Sequence, residues 1–348
     1  GADQAWDFPA ADRALEEAVA KAPRVVLVCN EDDAFRRRML DWLYPPGSSN
    51  RRRNFAAKEL VDGRPWVAEM RLFKQPAELA MLQNAVDVSI EGHLAALGAT
   101  PGALNEGQVA GAFEGTVRGL GARFLGYATI AGAGKDACSL HYPYADAPIP
   151  AGSLLLLDAG AEVGYYSADI TRTWPTSGHF SREQRILYDL VLKAQDAAIA
   201  LCRPGVPHIE GFRVAMRILS DGLVDLGILK GTKEEAFASW AWKPYTLHGT
   251  SHWLGLDVHD AGDYGVPDPI YPRGGNRPLA AGMVLTVEPG LYVPIGAEGV
   301  DPKWQGIGIR IEDDILVTAE GPRNLSGRLP RHPGELEALV QKAGKKGR

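Results

Sequence analysis

The 348-residue sequence predicts an α+β domain with an internal twofold repeat, preceded by a small α/β segment. Three observations carry the prediction. From residue 69 onward, helix-period stretches are interleaved with strand runs that form hairpins, not with regular βαβ crossovers. Residues 1–66 differ in pattern from the rest and show a single clear strand. Two ten-residue stretches, AGSLLLLDAG at 151–160 and AGMVLTVEPG at 281–290, match at an offset of 130. That offset is too long for a solenoid, so it reads as a duplicated strand that ends in a carboxylate.

The elements follow in order. RVVLVCN at 24–30 reads as a buried strand, 33–43 as a helix and PPGSSN at 45–50 as a loop. The arginine triplets 36–38 and 51–53 look like a phosphate-binding stripe. Residues 1–66, however, hold 11 basic against 11 acidic side chains, so solvated faces are the better reading. A helix opens at Lys74-Gln-Pro-Ala-Glu, with Pro76 in its first turn, Glu78 at its positive end, and Leu79, Leu82, Val86 and Ile90 at helical spacing. Further helices are expected at about 105–119, at 181–201 with Ser181 and Gln184 as a capping box, and within 206–226. Strands are expected at 124–131, 153–157, 284–287 and 307–317, and domains at 1–66 and 67–348.

Composition excludes whole classes. Hydrophobic residues at 45% and charged ones at 23% suit a globular chain with a sizeable core. A net charge of −6 argues against non-specific binding to nucleic acid or to anionic membranes. No apolar run reaches membrane-spanning length, and residues 1–12 lack the pattern of a secretion signal. Cys29, Cys138 and Cys202 are too few for a disulfide framework, so a reducing cytoplasm is expected.

The repeat brings carboxylates to buried strands. Asp158 closes the apolar run 154–157, and Asp169 follows in SADITRTWP. A tight turn at Val163-Gly164 sets the two opposite each other on one face of a hairpin. Glu288, after VLTV, and Glu312, inside GIGIRIEDDILV, stand at mirrored positions in the second copy. Opposed like charges near a core are costly unless something neutralises them. Arg172 or Arg310 would serve for a single carboxylate; two divalent cations neutralise all four. Such an oxygen-rich set with limited nitrogen suits manganese, cobalt or zinc. The nitrogen is expected from HGTSHWLGLDVHD, which holds His248, His252 and His259, three of the eight histidines within 12 residues. Its glycines and the lack of an intervening glutamate argue against a zinc-binding helix. His93, His179, His208 and His332 read as solvated, structural positions.

LLLLDAGAEVGYYSADITRTWP, HGTSHWLGLDVHDAG, TVEPGLY and GIGIRIEDD together resemble the metal-site motifs of the pita-bread metallopeptidases, specifically the aminopeptidase P family, over roughly residues 69–340. The resemblance implies a pita-bread catalytic domain with a pseudo-twofold repeat. It also implies a shortened N-terminal α/β domain, since about 66 residues stand where the family commonly carries well over a hundred. Two divalent ions are implied, Mn²⁺ first, with Zn²⁺ or Co²⁺ as alternatives. Asp158 would hold one and His252 with Glu288 the other, with Asp169 and Glu312 bridging both. His141, in LHYP, and His259 would contact the substrate near the scissile carbonyl, and His248 would line a proline pocket. Tyr292 and Arg310 fall at substrate-site positions close to the metals, with a supporting role, and Asp257 and Asp260 read as structural.

The implied activity removes the N-terminal residue from peptides with proline in second position. A hydroxide shared by the metals attacks the carbonyl, and Glu288 handles the proton. Implied partners are such peptides and further copies of the chain, as a dimer or tetramer, with neither nucleic acid nor membrane. The nearest rival is a prolidase acting on Xaa-Pro dipeptides, ahead of a methionine aminopeptidase. Creatinase-like metal-free hydrolysis and a catalytically inactive pita-bread binding protein conflict with the complete ligand set. Arg273 or Arg277, in the Pro/Gly-rich loop 263–281, would meet a peptide carboxylate or solvent.

Overall fold

The computed structural model describes residue 5 and residues 7–28, 33–43, 59–267 and 275–346. The chain divides into two units, Gly1–Met70 and Arg71–Arg348. In the first, Asp7 caps α1 (Phe8–Lys21) by accepting from the Ala10 N–H. Strand β1 (Arg24–Leu27) pairs in parallel with β2 (Glu59–Asp62), and α2 (Asp33–Leu43) and the greater part of α3 (Arg64–Leu72) complete the elements. Val19, Val25, Leu27 and Met39 form a small core. The strand expected to be buried is half-buried, because its side chains alternate and Val26 faces outward. The short, acid-flanked β2 and α1 escaped the sequence reading. Arg38 of the first arginine triplet ion-pairs with Asp12 at 3.0 Å. Cys29, Asn30, the loop 45–50, the triplet 51–53 and Arg273 lie outside the described residues.

In the second unit the helices begin where their caps dictate. Gln75 and Glu78 close a capping box on α4 (Pro76–Ala99), which buries Leu82, Val86 and Ile90. Asn105 caps α5 (Glu106–Gly119), and Ser181 with Gln184 caps α6 (Arg182–Ile199). Helix α7 (Ile209–Asp225) packs on α6, as α5 does on α4. Helices α8 (Lys233–Ala238) and α9 (Pro333–Lys346) were not expected. The main apolar core gathers residues from α5, α6 and α7 and from the strands between them, with Trp174, Tyr188 and Trp253 among its largest members.

The strands form two long, interrupted hairpins. The first comprises β5 (Leu154–Asp158), β6 (Ala161–Val163), β7 (Tyr166–Ser167) and β8 (Thr171–Pro175), flanked by β3 (Phe124–Leu125) and β4 (Ile130–Ala133). The second comprises β9 (Val284–Val287), β10 (Gly290–Val293), β11 (Ile307–Arg310) and β12 (Asp313–Thr318), with β13 (Gly321–Asn324) at its edge. Each keeps one register on both sides of its break. In the first, Leu154 faces Pro175, Asp158 faces Thr171 and Val163 faces Tyr166. In the second, Val287 faces Asp313 and Gly290 faces Arg310, which sets Glu288 opposite Glu312.

The register corrects two expectations. The tight turn lies at Gly164-Tyr165, both with positive φ (59° and 71°), one residue later than expected. Asp158 therefore faces Thr171, and Asp169 falls diagonally from it on the same face, because a shift of two positions preserves the face of a strand. The expected strand 124–131 is also split, at 126–129, and 307–317 at Ile311-Glu312. The first hairpin breaks at Gly160, where the strands run so close that a Cβ would lie 1.8 Å from the Ala168 carbonyl oxygen.

Candidate metal centre

All four carboxylates sit at the two breaks. Asp158 ends β5, Asp169 lies between β7 and β8, Glu288 follows β9, and Glu312 separates β11 from β12. The hairpins are stitched together there: the Glu312 N–H donates to the Thr171 carbonyl at 3.1 Å, and the Asp169 N–H to Asp314 Oδ2 at 3.2 Å.

The repeat is not a full mirror. Asp158 and Glu288 are equivalent, but the position opposite Glu288 is Glu312 and the position opposite Asp158 is Thr171. By the same register Asp169 is equivalent to Arg310. The match at 151–160 and 281–290 covers only first strands. The second strands return through connections of different length, two residues in one copy and residues 294–306 in the other, so the sequence could not align them.

His252 arrives by backbone pairing. Residues 250–254 run beside β9: Glu288 N–H donates to Thr250 O at 2.9 Å, Thr286 N–H to His252 O at 3.0 Å, and Leu254 N–H to Val284 O at 3.1 Å. This sets His252 Nε2 3.3 Å from Asp169 Oδ2 and 3.4 Å from Glu288 Oε1. Asp169, His252 and Glu312 each offer a ligand atom within 4.8 Å of the others.

Hydrogen bonds orient the acids. Thr171 Oγ1 donates to Glu312 Oε2 at 2.6 Å and accepts from Arg310 Nε at 3.1 Å. Arg310 also donates to Asp158 Oδ2 at 2.6 Å and to the Tyr292 hydroxyl at 2.7 Å. His248 Nε2 lies 2.7 Å from the same hydroxyl, and its Nδ1 lies 3.2 Å from Glu288 Oε2. The Tyr127 hydroxyl lies 2.5 Å from both Asp158 Oδ1 and Asp169 Oδ1. Tyr127 was missed in the sequence; the available signal was a tyrosine after Gly126, inside a run too long to remain one strand.

The arginine reading therefore holds for one acid. Arg310 takes Asp158, whereas Arg172 is committed to Asp313 at 2.7 Å. One guanidinium among four carboxylates leaves a strong excess of negative charge, and burial makes that excess costly. Burial lifts Asp169 to about 6 and, with the other carboxylates, holds Glu312 well above the usual range. Burial opposes ionisation of Glu288 too, but the His248 hydrogen bond and the charges of His248, His252 and Arg310 hold it at about 2. For His252 the neighbouring carboxylates outweigh burial and raise it to about 9. Converging carboxylate oxygens and one imidazole, with charge to neutralise, fit divalent manganese, zinc or cobalt.

The remaining histidines separate clearly. His259 stacks edgewise on His252, with ring centroids 4.3 Å apart. His141 is exposed and has no hydrogen-bond partner among the described residues. Asp260 is buried, bonded by Arg71 and Lys74, and Asp257 ion-pairs with Arg71. Arg277 lies 4.0 Å from Asp263 and over the Phe73 ring. His179 and His332 are exposed as expected. His93 and His208, expected in solvated settings, are buried instead: His93 bonds Ala159 O, and His208 packs between Trp253 and Tyr264. Among the described residues no helix is long and apolar enough to cross a membrane.

Residues 80–319 match metallopeptidase family M24. The chain is 43% identical to Xaa-Pro aminopeptidase of Escherichia coli (strain K12) over 290 residues, which is 83% of this chain and 64% of that protein. It is 43% identical to Xaa-Pro aminopeptidase 1 of Streptomyces coelicolor over 277 residues, 79% of this chain and 55% of that protein. The chain thus spans less than two thirds of the length of these relatives. Among solved structures, zinc-substituted E. coli aminopeptidase P in complex with product superposes with a TM-score of 0.91 at 40% identity, covering 99% of this chain and 76% of that one. Proline aminopeptidase P II from Yersinia pestis gives 0.89 at 40% identity, covering 98% and 76%. The expected pita-bread fold is borne out, and the chain belongs to metallopeptidase family M24.

Proposed function

We propose that the protein is a metal-dependent exopeptidase that removes the N-terminal residue from peptides whose second residue is proline, with residues 67–348 as the catalytic domain. The observation that carries this reading is the convergence of Asp169, His252 and Glu312, with Glu288 at 3.4 Å from His252, in a chain similar to named Xaa-Pro aminopeptidases. Asp158, Asp169, His252, Glu288 and Glu312 would hold two divalent ions, Mn²⁺ foremost. When bound, they supply Lewis acidity and a nucleophile from water at neutral pH.

The chain's own residues do the rest. Glu288 is ionised at neutral pH and is the acceptor for the proton released during attack. The proline nitrogen carries no N–H, so peptide recognition falls on ring shape and on the carbonyl. His248 is assigned to the ring pocket, supported by Tyr292 and Arg310, which its hydrogen-bond chain joins. His141 and His259 are assigned to the scissile carbonyl. A cytoplasmic setting and assembly as a dimer or tetramer belong to the same reading.

The test is chelation followed by reconstitution, with Xaa-Pro-Xaa tripeptides beside Gly-Pro. Chelation is expected to abolish hydrolysis, Mn²⁺ or Co²⁺ to restore it, and tripeptides to be cleaved faster than the dipeptide. Activity indifferent to chelation overturns the reading, and cleavage confined to the dipeptide replaces it with a prolidase.

A further inference from the structure

Helix α5 starts with a carboxylate that has no solvent exposure, Glu106. A buried carboxylate is expensive unless donors surround it, and here they do. Glu106 Oε1 accepts from the Ala133 N–H at 2.7 Å, and Oε2 accepts from the Ala147 N–H at 3.2 Å. The Tyr142 hydroxyl lies near the same carboxylate. The Glu106 N–H in turn donates to Ala147 O at 3.0 Å. Ala133 ends β4 and Ala147 lies 14 residues further along the chain. One side chain therefore ties the two ends of the intervening loop together. The first turn of α5 is pressed against that loop, since a Cβ on Gly107 would lie 2.8 Å from Ala145 O.

The loop 134–146 carries His141, next to Tyr142. Tyr142 packs with Ile130, Ala137, Leu156 and Tyr292, the last of which bonds His248 and Arg310. His141 itself has no hydrogen-bond partner among the described residues, so its place depends on how the loop is held. We propose that Glu106 is a positioning residue that closes the neck of the loop 134–146 and thereby places His141 for the substrate. This rests on the assignment of His141 to the scissile carbonyl. The carboxylate form is required. In an amide the nitrogen faces an N–H at one end of the neck, so Glu106→Gln keeps the size and loses the clamp.

The experiment uses the metal-loaded full chain and reads metal stoichiometry, amide hydrogen exchange in 134–146, and kcat and KM on an Xaa-Pro-Xaa peptide. Glu106→Gln is expected to raise exchange in the loop about 10-fold or more with metal stoichiometry retained, and to lower kcat/KM about 10- to 100-fold. Glu106→Gln combined with His141→Ala is expected to be no slower than His141→Ala alone, because both act through one imidazole. Tyr142→Phe, which leaves the neck bonds intact, covers the case in which Glu106→Gln does not fold, and is expected to raise loop exchange by a smaller factor. Unchanged loop exchange in the folded variants overturns the proposal, as do effects of Glu106→Gln and His141→Ala that multiply. If the unsubstituted chain cleaves no Xaa-Pro peptide, it is the functional reading that fails, and the exchange measurement alone decides the clamp.

Discussion

Thr171 and Glu312 occupy the same place in the two copies of the repeat, and the hydroxyl of one donates to the carboxylate of the other at 2.6 Å. The next pair of equivalent positions, Arg172 and Asp313, forms a fully buried ion pair at 2.7 Å. The copies are thus joined through like positions, with an acid in one and a donor in the other. Sequence symmetry is broken where strict symmetry would place two like charges in contact.

Thr171 orients Glu312, so Thr171→Val is expected to fold and to bind divalent metal about 10- to 100-fold more weakly. The check is competition with a chelator of known affinity. Equal affinity in both proteins would show that other contacts orient the carboxylate.

Tyr127 has one hydroxyl proton between two carboxylates that repel each other. A bound cation would neutralise the same pair of carboxylates. Tyr127→Phe is expected to cost about 1–3 kcal/mol in the metal-free chain and less in the loaded one, so metal stabilises the variant more than the parent. Denaturant midpoints with and without Mn²⁺ read the difference.

Burial lowers His93 from 6.5 to about 4, and the unfolded chain regains the ordinary value. Between those values the unfolded state binds more protons, so stability is full above pH 6.5 and is lost as pH falls towards 4. The loss amounts to about 3 kcal/mol. His93→Gln keeps an N–H for Ala159 O and does not titrate. Its stability is expected to fall less than the parent's across that window, measured by unfolding of metal-free protein at a series of pH values. His208, also lowered to about 4 by burial, adds a second such slope in both proteins.

At Gly160 the two strands of the first hairpin approach so closely that a Cβ there meets the Ala168 carbonyl oxygen at 1.8 Å. Gly160→Ala is expected to cost more than about 3 kcal/mol and to weaken metal binding, because Asp158 and Asp169 flank this close approach. Gly111→Ala, in open space on α5, is the control: it is expected to be neutral or stabilising by up to about 1 kcal/mol. Thermal unfolding compares the two.

Much of this protein was legible in the chain because it depends on short-range chemistry. Helix starts at Pro76, Asn105 and Ser181 follow from a cap and the turn after it, and Asp158 and Glu288 announce themselves as acids ending apolar strands. The motif strings carried the family. Tertiary structure alone decided which side chains meet. The tight turn fell one residue later than the glycine suggested, which moved Asp169 off the position opposite Asp158. His252 reaches Asp169, 83 residues away, only because its segment pairs along β9; Tyr127 reaches both aspartates only because its strand breaks. The solvated reading of His93 and His208 failed for the same reason, since burial is set by what packs from elsewhere. Capping and periodicity act over a few residues and leave a local trace. Register and convergence are settled by backbone pairing between distant segments, where a shift of one residue turns every side chain to the other face.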